Sequence, residues 1–160
     1  MEIERKWLCD WDKVPKGMNL RDCLSIIQNY LIAGEDEVRI RKQTSLMTGD
    51  VKFFVTVKSG TGLVRQEAEV EIVEGTFDWL QAMAGTTALL KDRFVVQDEA
   101  IGEFIVDMYY DQKLNIIEKE FPDEESAKQF VPPEWFGKEV TDDPKYKAKH
   151  LWKVMNGVDL

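Results

Sequence analysis

Glu2-Ile3-Glu4-Arg5-Lys6-Trp7-Leu8 begins the chain with a strict two-residue alternation. Successive side chains of a strand point to opposite faces, so Glu2, Glu4 and Lys6 share one face and Ile3 and Trp7 the other. The same pattern returns along the chain. Arg39 and Arg41 alternate with Val38 and Ile40 over 37–42, and Thr56 and Lys58 share a face of 51–58. In 64–73, Arg65, Glu67, Glu69 and Glu71 oppose Val64, Ala68, Val70 and Ile72. Lys91 and Arg93 share a face of 88–97, Asp107 sits mid-strand in 103–111, and Glu118 and Glu120 share a face of 114–121.

A charged face opposite an apolar one is ordinary for a sheet with one side in water. The sorting of the charges is not. Arg39/Arg41 and Lys91/Arg93 are purely basic; Glu2/Glu4, Glu67/Glu69 and Glu118/Glu120 are purely acidic. Like charges side by side repel, so a solvated face would more often mix signs. Closing about eight such strands into a barrel would turn the charged faces inward. The expected fold is therefore α+β and mainly β: a closed antiparallel eight-stranded barrel, a tunnel, with covering helices. Helical spacing places those helices at 20–29, with Leu20, Leu24 and Ile27 on one stripe, at 75–85, and from about 145 to 156; a short strand at 30–32 and a short helix at 124–130 complete the reading. Turns are expected at Gly34-Glu35-Asp36, Gly49-Asp50, Gly60-Thr61-Gly62 and Asp111-Gln112. No repeat or linker interrupts the 160 residues, so one domain spanning 1–160 is expected.

The formal net charge of -9 argues against nucleic acid and anionic membranes as partners. A polyanionic ligand would then need converging basic side chains and a helping cation. Cys9 and Cys23 show neither CxxC nor zinc spacing, and no signal-peptide pattern precedes them, so a cytoplasmic setting is expected. With His150 the single histidine, there is little material for a serine-histidine mechanism. Arginine suits bidentate phosphate binding, and paired carboxylates suit hard cations. Lys42, Glu71 and Lys119 are read as surface charges, and Trp7 and Trp135 as packing.

Glu2-Ile3-Glu4-Arg5-Lys6 also resembles the ExExK signature of the triphosphate tunnel metalloenzymes, the CYTH superfamily. The further motifs follow in order: Val38-Arg39-Ile40-Arg41, Thr56-Val57-Lys58, Arg65-Gln66-Glu67-Ala68-Glu69, Lys91-Asp92-Arg93-Phe94, Val106-Asp107-Met108-Tyr109, Ile117-Glu118-Lys119-Glu120, and a tail from Trp135 through Tyr146. Phe94 stands where a tyrosine is usual. The short bacterial inorganic triphosphatases are the most similar members. The resemblance implies hydrolysis of tripolyphosphate with Mg²⁺ or Mn²⁺. It implies metal binding by Glu2, Glu4, Glu67, Glu69, Asp107, Glu118 and Glu120. It implies substrate binding by Lys6, Arg39, Arg41, Lys58, Arg65, Lys91 and Arg93, with Lys6, Lys91 and Arg93 also catalytic. Tyr30, in Gln28-Asn29-Tyr30-Leu31, is expected to act in catalysis by holding Lys6 or limiting entry. A homodimer is possible. The fold alone does not choose among triphosphatase, thiamine or nucleoside triphosphatase, and adenylate cyclase, and a non-catalytic polyphosphate-binding module is the alternative of another class.

Overall fold

A computed structural model describes residues 2–60 and 63–159. The expected turn at Gly60-Thr61-Gly62 therefore lies partly outside the described residues. Nine strands and three α-helices follow in chain order: β1 (Glu2–Cys9), β2 (Asn19–Ala33), β3 (Glu37–Ser45), β4 (Val51–Ser59), β5 (Val64–Ile72), α1 (Glu74–Ala84), β6 (Leu89–Asp98), β7 (Gly102–Tyr109), β8 (Leu114–Glu120), α2 (Glu124–Gln129), β9 (Phe136–Glu139) and α3 (Ala148–Asn156). The order β5-β4-β3-β2-β6-β7-β8-β1 closes on itself through β1 and β5, giving an eight-stranded antiparallel barrel. β9 adds beside the second half of β1, outside the ring.

The registers fix what faces inward. Lys6 lies opposite Glu118, and Glu4 opposite Glu120. Arg39 lies opposite both Tyr30 and Thr56, and Arg93 opposite Asp107. The charged faces thus point into the barrel, as the sorted charges require. The seam is short: among the described residues β1 pairs with β5 through Glu2↔Arg65 and Ile3↔Val64, with a further bond from the Glu4 N–H to the Leu63 carbonyl. β9 occupies the rest of that edge, and Gly137 permits it. A Cβ there would stand 2.6 Å from the Leu8 carbonyl oxygen, closer than any side chain tolerates.

The apolar faces are covered from outside. Trp7, Val106, Ile117, Phe104 and Phe136 form one cluster, joined by Phe130 and Trp135, so Trp7 and Trp135 pack as expected. Beneath α1, Phe77 packs on Ile40 and Phe53. Burying such a side chain fully contributes roughly 1.5–3 kcal/mol, which lets these clusters carry the fold.

Two helix expectations need correction. Residues 20–29 are strand, part of β2. Leu20, Leu24 and Ile27 have helical spacing by coincidence; the inward row is Leu24, Ile26, Gln28 and Tyr30, whose mixed polarity hides the period of two. Pairing with β3 on one edge and β6 on the other settles the outcome. The final helix begins only at Ala148, after a 3-10 turn at Pro144–Tyr146 capped by Asp143. It does not cover the outside. Trp152 packs on Tyr30, Leu89, Tyr109 and Ile116, all of which belong to inward-facing rows, so α3 stoppers one end of the barrel. β9 lies within the tail that begins at Trp135, for which no strand is predicted. Both cysteines are free, and no described helix is long and apolar enough to cross a membrane.

Candidate active site

A cavity of about 420 Å³ occupies the barrel interior. Its wall includes every sequence-predicted site residue except Asp107. The basic and acidic residues do not intermingle evenly; they divide into three neighbourhoods.

The first is acidic. Glu2 and Glu4 from β1 and Glu120 from β8 bring carboxylate oxygens within 4.8 Å of one another. Burial raises the affinity of all three for a proton; Glu67 adds to this at Glu2, Glu118 at Glu4, and Glu2 and Glu4 at Glu120. Lys58 holds Glu2 at 3.0 Å, and Glu67 lies 4.0 Å from the same ammonium. Glu69 accepts a hydrogen bond from Thr56 at 2.9 Å. Crowded, partly desolvated carboxylates without enough positive partners are a donor set for a hard divalent cation such as Mg²⁺ or Mn²⁺. Lys6 stands at the border of this group, 3.5 Å from Glu4 and 3.3 Å from Glu118. Burial pushes its ammonium down, but Glu118 and Glu4 outweigh that and hold it charged.

The second neighbourhood is a set of tethered cations. Lys91 and Arg93 from β6 both bond Asp107 of β7, at 2.8 Å each. Asp107 is fully buried, and although burial opposes its ionisation, Arg93 and Lys91 hold its carboxyl well below the usual range. The resemblance implies a metal ligand at Asp107; the structure puts it in these ion pairs, apart from the Glu2–Glu4–Glu120 group. Arg65 is tethered likewise, donating to Glu37 at 2.7 Å and to the Gly60 carbonyl at 3.0 Å.

The third is Arg39 and Arg41 of β3. They are 8% and 5% exposed, neither has a carboxylate partner among the described residues, and the Nε of each is buried without an acceptor. Burial first, then Arg39 and Arg93, pushes Arg41 down to about 9. Its one acceptor is neutral: Gln28 Oε1 at 3.0 Å. Among the described residues the Tyr30 hydroxyl accepts from Gln28 and makes no hydrogen bond to Lys6; its ring lines the cavity wall and packs against Trp152.

Sequence reasoning missed several lining groups, among them Glu37, Lys147 and Lys149. Glu37 lies two residues before Arg39, so the period of two already placed it inward. Gln28, which accepts from Arg41 but is not part of the lining, has no role that its sequence pattern signals. Lys147 and Lys149 enter the wall from the segment leading into α3, which no periodicity could have signalled. Lys42 and Lys119 lie outside the cavity, over Phe53 and Phe121, and Glu71 is exposed.

A closed β-barrel whose interior pairs an unneutralised arginine pole with a carboxylate pole defines a receptor for a metal-bound polyanion. No protein-family model matches the chain. An inorganic triphosphatase of Nitrosomonas europaea is 34% identical over 152 residues, covering 94% of this chain and 95% of the relative. One from Acetivibrio thermocellus is 32% identical over 162 residues, covering 95% and 93%. The crystal structure of the inorganic triphosphatase NE1496 superposes with a TM-score of 0.65 at 33% identity, covering 95% of this chain and 94% of that one. The chain belongs to the inorganic triphosphatases of the triphosphate tunnel metalloenzyme superfamily.

Proposed function

We propose that this chain hydrolyses inorganic triphosphate in its barrel cavity with Mg²⁺ or Mn²⁺. The carrying observation is the pair of buried arginines, Arg39 and Arg41, that lack carboxylate partners beside a crowded group of three carboxylates. Isolated buried charge is costly, and a ligand offering phosphoryl oxygens at one end and a cation at the other relieves both costs.

Glu2, Glu4 and Glu120 would hold the cation, with Glu67, Glu69 and Glu118 nearby to bind its ordered waters. A divalent ion held there supplies Lewis-acid polarisation of a phosphoryl oxygen and orders water for in-line attack. Arg39 and Arg41 clamp phosphoryl oxygens in bidentate fashion. Asp107 acts on the substrate indirectly, by fixing Lys91 and Arg93 so that their remaining N–H groups face the cavity. Lys6, flanked by Glu4 and Glu118, places a positive charge where the acidic and basic neighbourhoods meet, suited to the charge that develops on the transferring group. Tyr30 and Phe104 are the aromatic residues of the described wall, and their rings are already packed, Tyr30 on Trp152 and Phe104 on Trp135 and Phe136. A nucleoside or thiamine ring would enter with little to stack on, which favours the inorganic substrate over the cyclase and organic triphosphatase readings.

The test is phosphate release from tripolyphosphate, pyrophosphate, ATP and thiamine triphosphate at matched metal. The expected result is fastest turnover of tripolyphosphate and none in excess chelator. Faster turnover of ATP, or its cyclisation, would replace this reading.

A further inference from the structure

Gln28 is fully buried in the wall of β2, inward-facing and opposite Arg41 in register. Its amide is used at both ends: Nε2 donates to the Tyr30 hydroxyl at 2.9 Å, and Oε1 accepts from Arg41 Nη2 at 3.0 Å. Tyr30 is in turn fixed by Trp152 of α3, with ring centroids 5.3 Å apart. Asn29, also fully buried, anchors that helix by accepting from Trp152 Nε1 at 2.6 Å. A continuous chain of contacts therefore runs from the helix that closes the barrel to one guanidinium in the cavity.

The chemistry of the acceptor matters. The buried cations Lys91, Arg93, Arg65 and Lys58 are each held by a carboxylate, Lys91 and Arg93 by Asp107, Arg65 by Glu37 and Lys58 by Glu2, while the outlying Lys149 donates to the Gly34 carbonyl. Arg41 is held by a neutral amide. An amide orients a guanidinium through one hydrogen bond without cancelling its charge, so that charge remains available to an anion. The cost is visible in the guanidinium itself, which burial and its neighbours Arg39 and Arg93 push down to about 9.

We propose that Gln28, oriented by Tyr30, is a positioning residue that presents Arg41 to the triphosphate with its charge unneutralised. This rests on the triphosphatase reading of the cavity. Gln28 does not itself touch the substrate; it acts through Arg41.

The test uses the full chain and imidotriphosphate, a slowly hydrolysed analogue of tripolyphosphate, with Mg²⁺. Binding is measured by calorimetry and the ligand-free melting temperature by scanning calorimetry, for wild type, Q28E, Q28L and Y30F. Q28E keeps size and acceptor but supplies the missing carboxylate. It should raise the ligand-free melting temperature and weaken binding by roughly tenfold or more, the equivalent of one charge-assisted contact. Q28L should weaken binding while lowering the melting temperature, and Y30F should do the same to a smaller degree. A merely structural role would make affinity follow stability; Q28E separates them. Wild-type affinity in Q28E or Q28L, or an affinity loss in Q28E together with a lowered melting temperature, would overturn the proposal. If wild type itself does not bind imidotriphosphate, the reading of the cavity fails, a result distinct from failure of the Gln28 role.

Discussion

Replacing Arg41 by methionine should make the ligand-free protein more stable and the enzyme much worse. Arg41 is 5% exposed, its Nε has no acceptor, and its Nη2 meets only Gln28. Burial beside Arg39 and Arg93 pushes its guanidinium well below the ordinary arginine value, to about 9. For a base with a lowered folded value, the charged form is disfavoured in the fold at any pH below about 9, and the penalty fades only as pH climbs from there toward the ordinary arginine value. At neutral pH the full penalty is present, roughly 5 kcal/mol at about 1.4 kcal/mol per pKa unit. Arg41→Met removes it but leaves the buried Gln28 carbonyl unpaired, a loss of about 1–3 kcal/mol. The net gain of about 2–4 kcal/mol corresponds to a melting temperature higher by roughly 4–16 °C for a chain of this size. The same substitution removes a charge-assisted phosphate contact of about 1.5–3 kcal/mol, lowering kcat/KM for tripolyphosphate by roughly 10- to 150-fold. Scanning calorimetry in chelator without phosphate reads the first effect, and steady-state phosphate release reads the second. Lys42→Ala, one residue along on the outer face, should change kcat/KM little. A variant that melts several degrees lower and keeps its kcat/KM would refute the idea of an unneutralised arginine pole.

Other expectations follow from the same geometry. Glu4→Gln or Glu120→Gln keeps side-chain shape but loses the charge needed for a hard cation, so each should lose most activity, and excess chelator should abolish wild-type activity reversibly upon adding Mg²⁺ or Mn²⁺; full activity in chelator would contradict the acidic group's role. Tripolyphosphate should be turned over at least tenfold faster than pyrophosphate, because a diphosphate is one phosphoryl group short of the available cations; equal rates would count against the clamp. Asp107→Asn leaves Lys91 and Arg93 buried without their counter-charge, so it should destabilise the fold by about 3–5 kcal/mol as well as lower kcat/KM, and a variant of wild-type melting temperature would show that the ion pairs are not its main role.

The barrel was legible because its strands follow a single rule: one face of each is charged in a sorted way, and that rule predicts an interior. Lys6, Arg39, Arg41, Arg93 and Glu118 were placed inside on that basis alone. β2 escaped the rule because its inward row runs Leu24, Ile26, Gln28, Tyr30, apolar at one end and polar at the other, so hydropathy shows no alternation. Partners escaped it altogether. A period of two says which face a side chain occupies and nothing of what stands opposite, so Asp107 could be placed in the barrel but not assigned to Lys91 and Arg93. The same limit hid the pairing of Arg65 with Glu37. The role of α3 was hidden for a different reason. Its apolar stripe is compatible with covering a sheet or stopping a barrel, and only the identity of its contacts, Tyr30, Leu89, Tyr109 and Ile116, decides between them.

The site also bears on how the barrel stays closed. β1 reaches β5 through two residue pairs, the narrowest junction in the ring. Two ion pairs reinforce that region from inside: Lys58 of β4 with Glu2 of β1, and Arg65 of β5 with Glu37 of β3. Both use residues that line the cavity, so seam and site share side chains. The carboxylate group joins β1 to β8 on one side of the seam, while Arg39 and Arg41 stand on β3, the third strand beyond it on the other. A ligand that engages the carboxylates and the arginines together must span the seam. It would add stabilisation where strand pairing is thinnest, since anything that binds only the folded state raises its stability. The apolar clusters outside supply enough stability to tolerate the charged interior, and the ligand offsets what that interior costs. On the proposed reading of the cavity, substrate affinity and barrel closure would be coupled through Glu2, Lys58, Glu37 and Arg65.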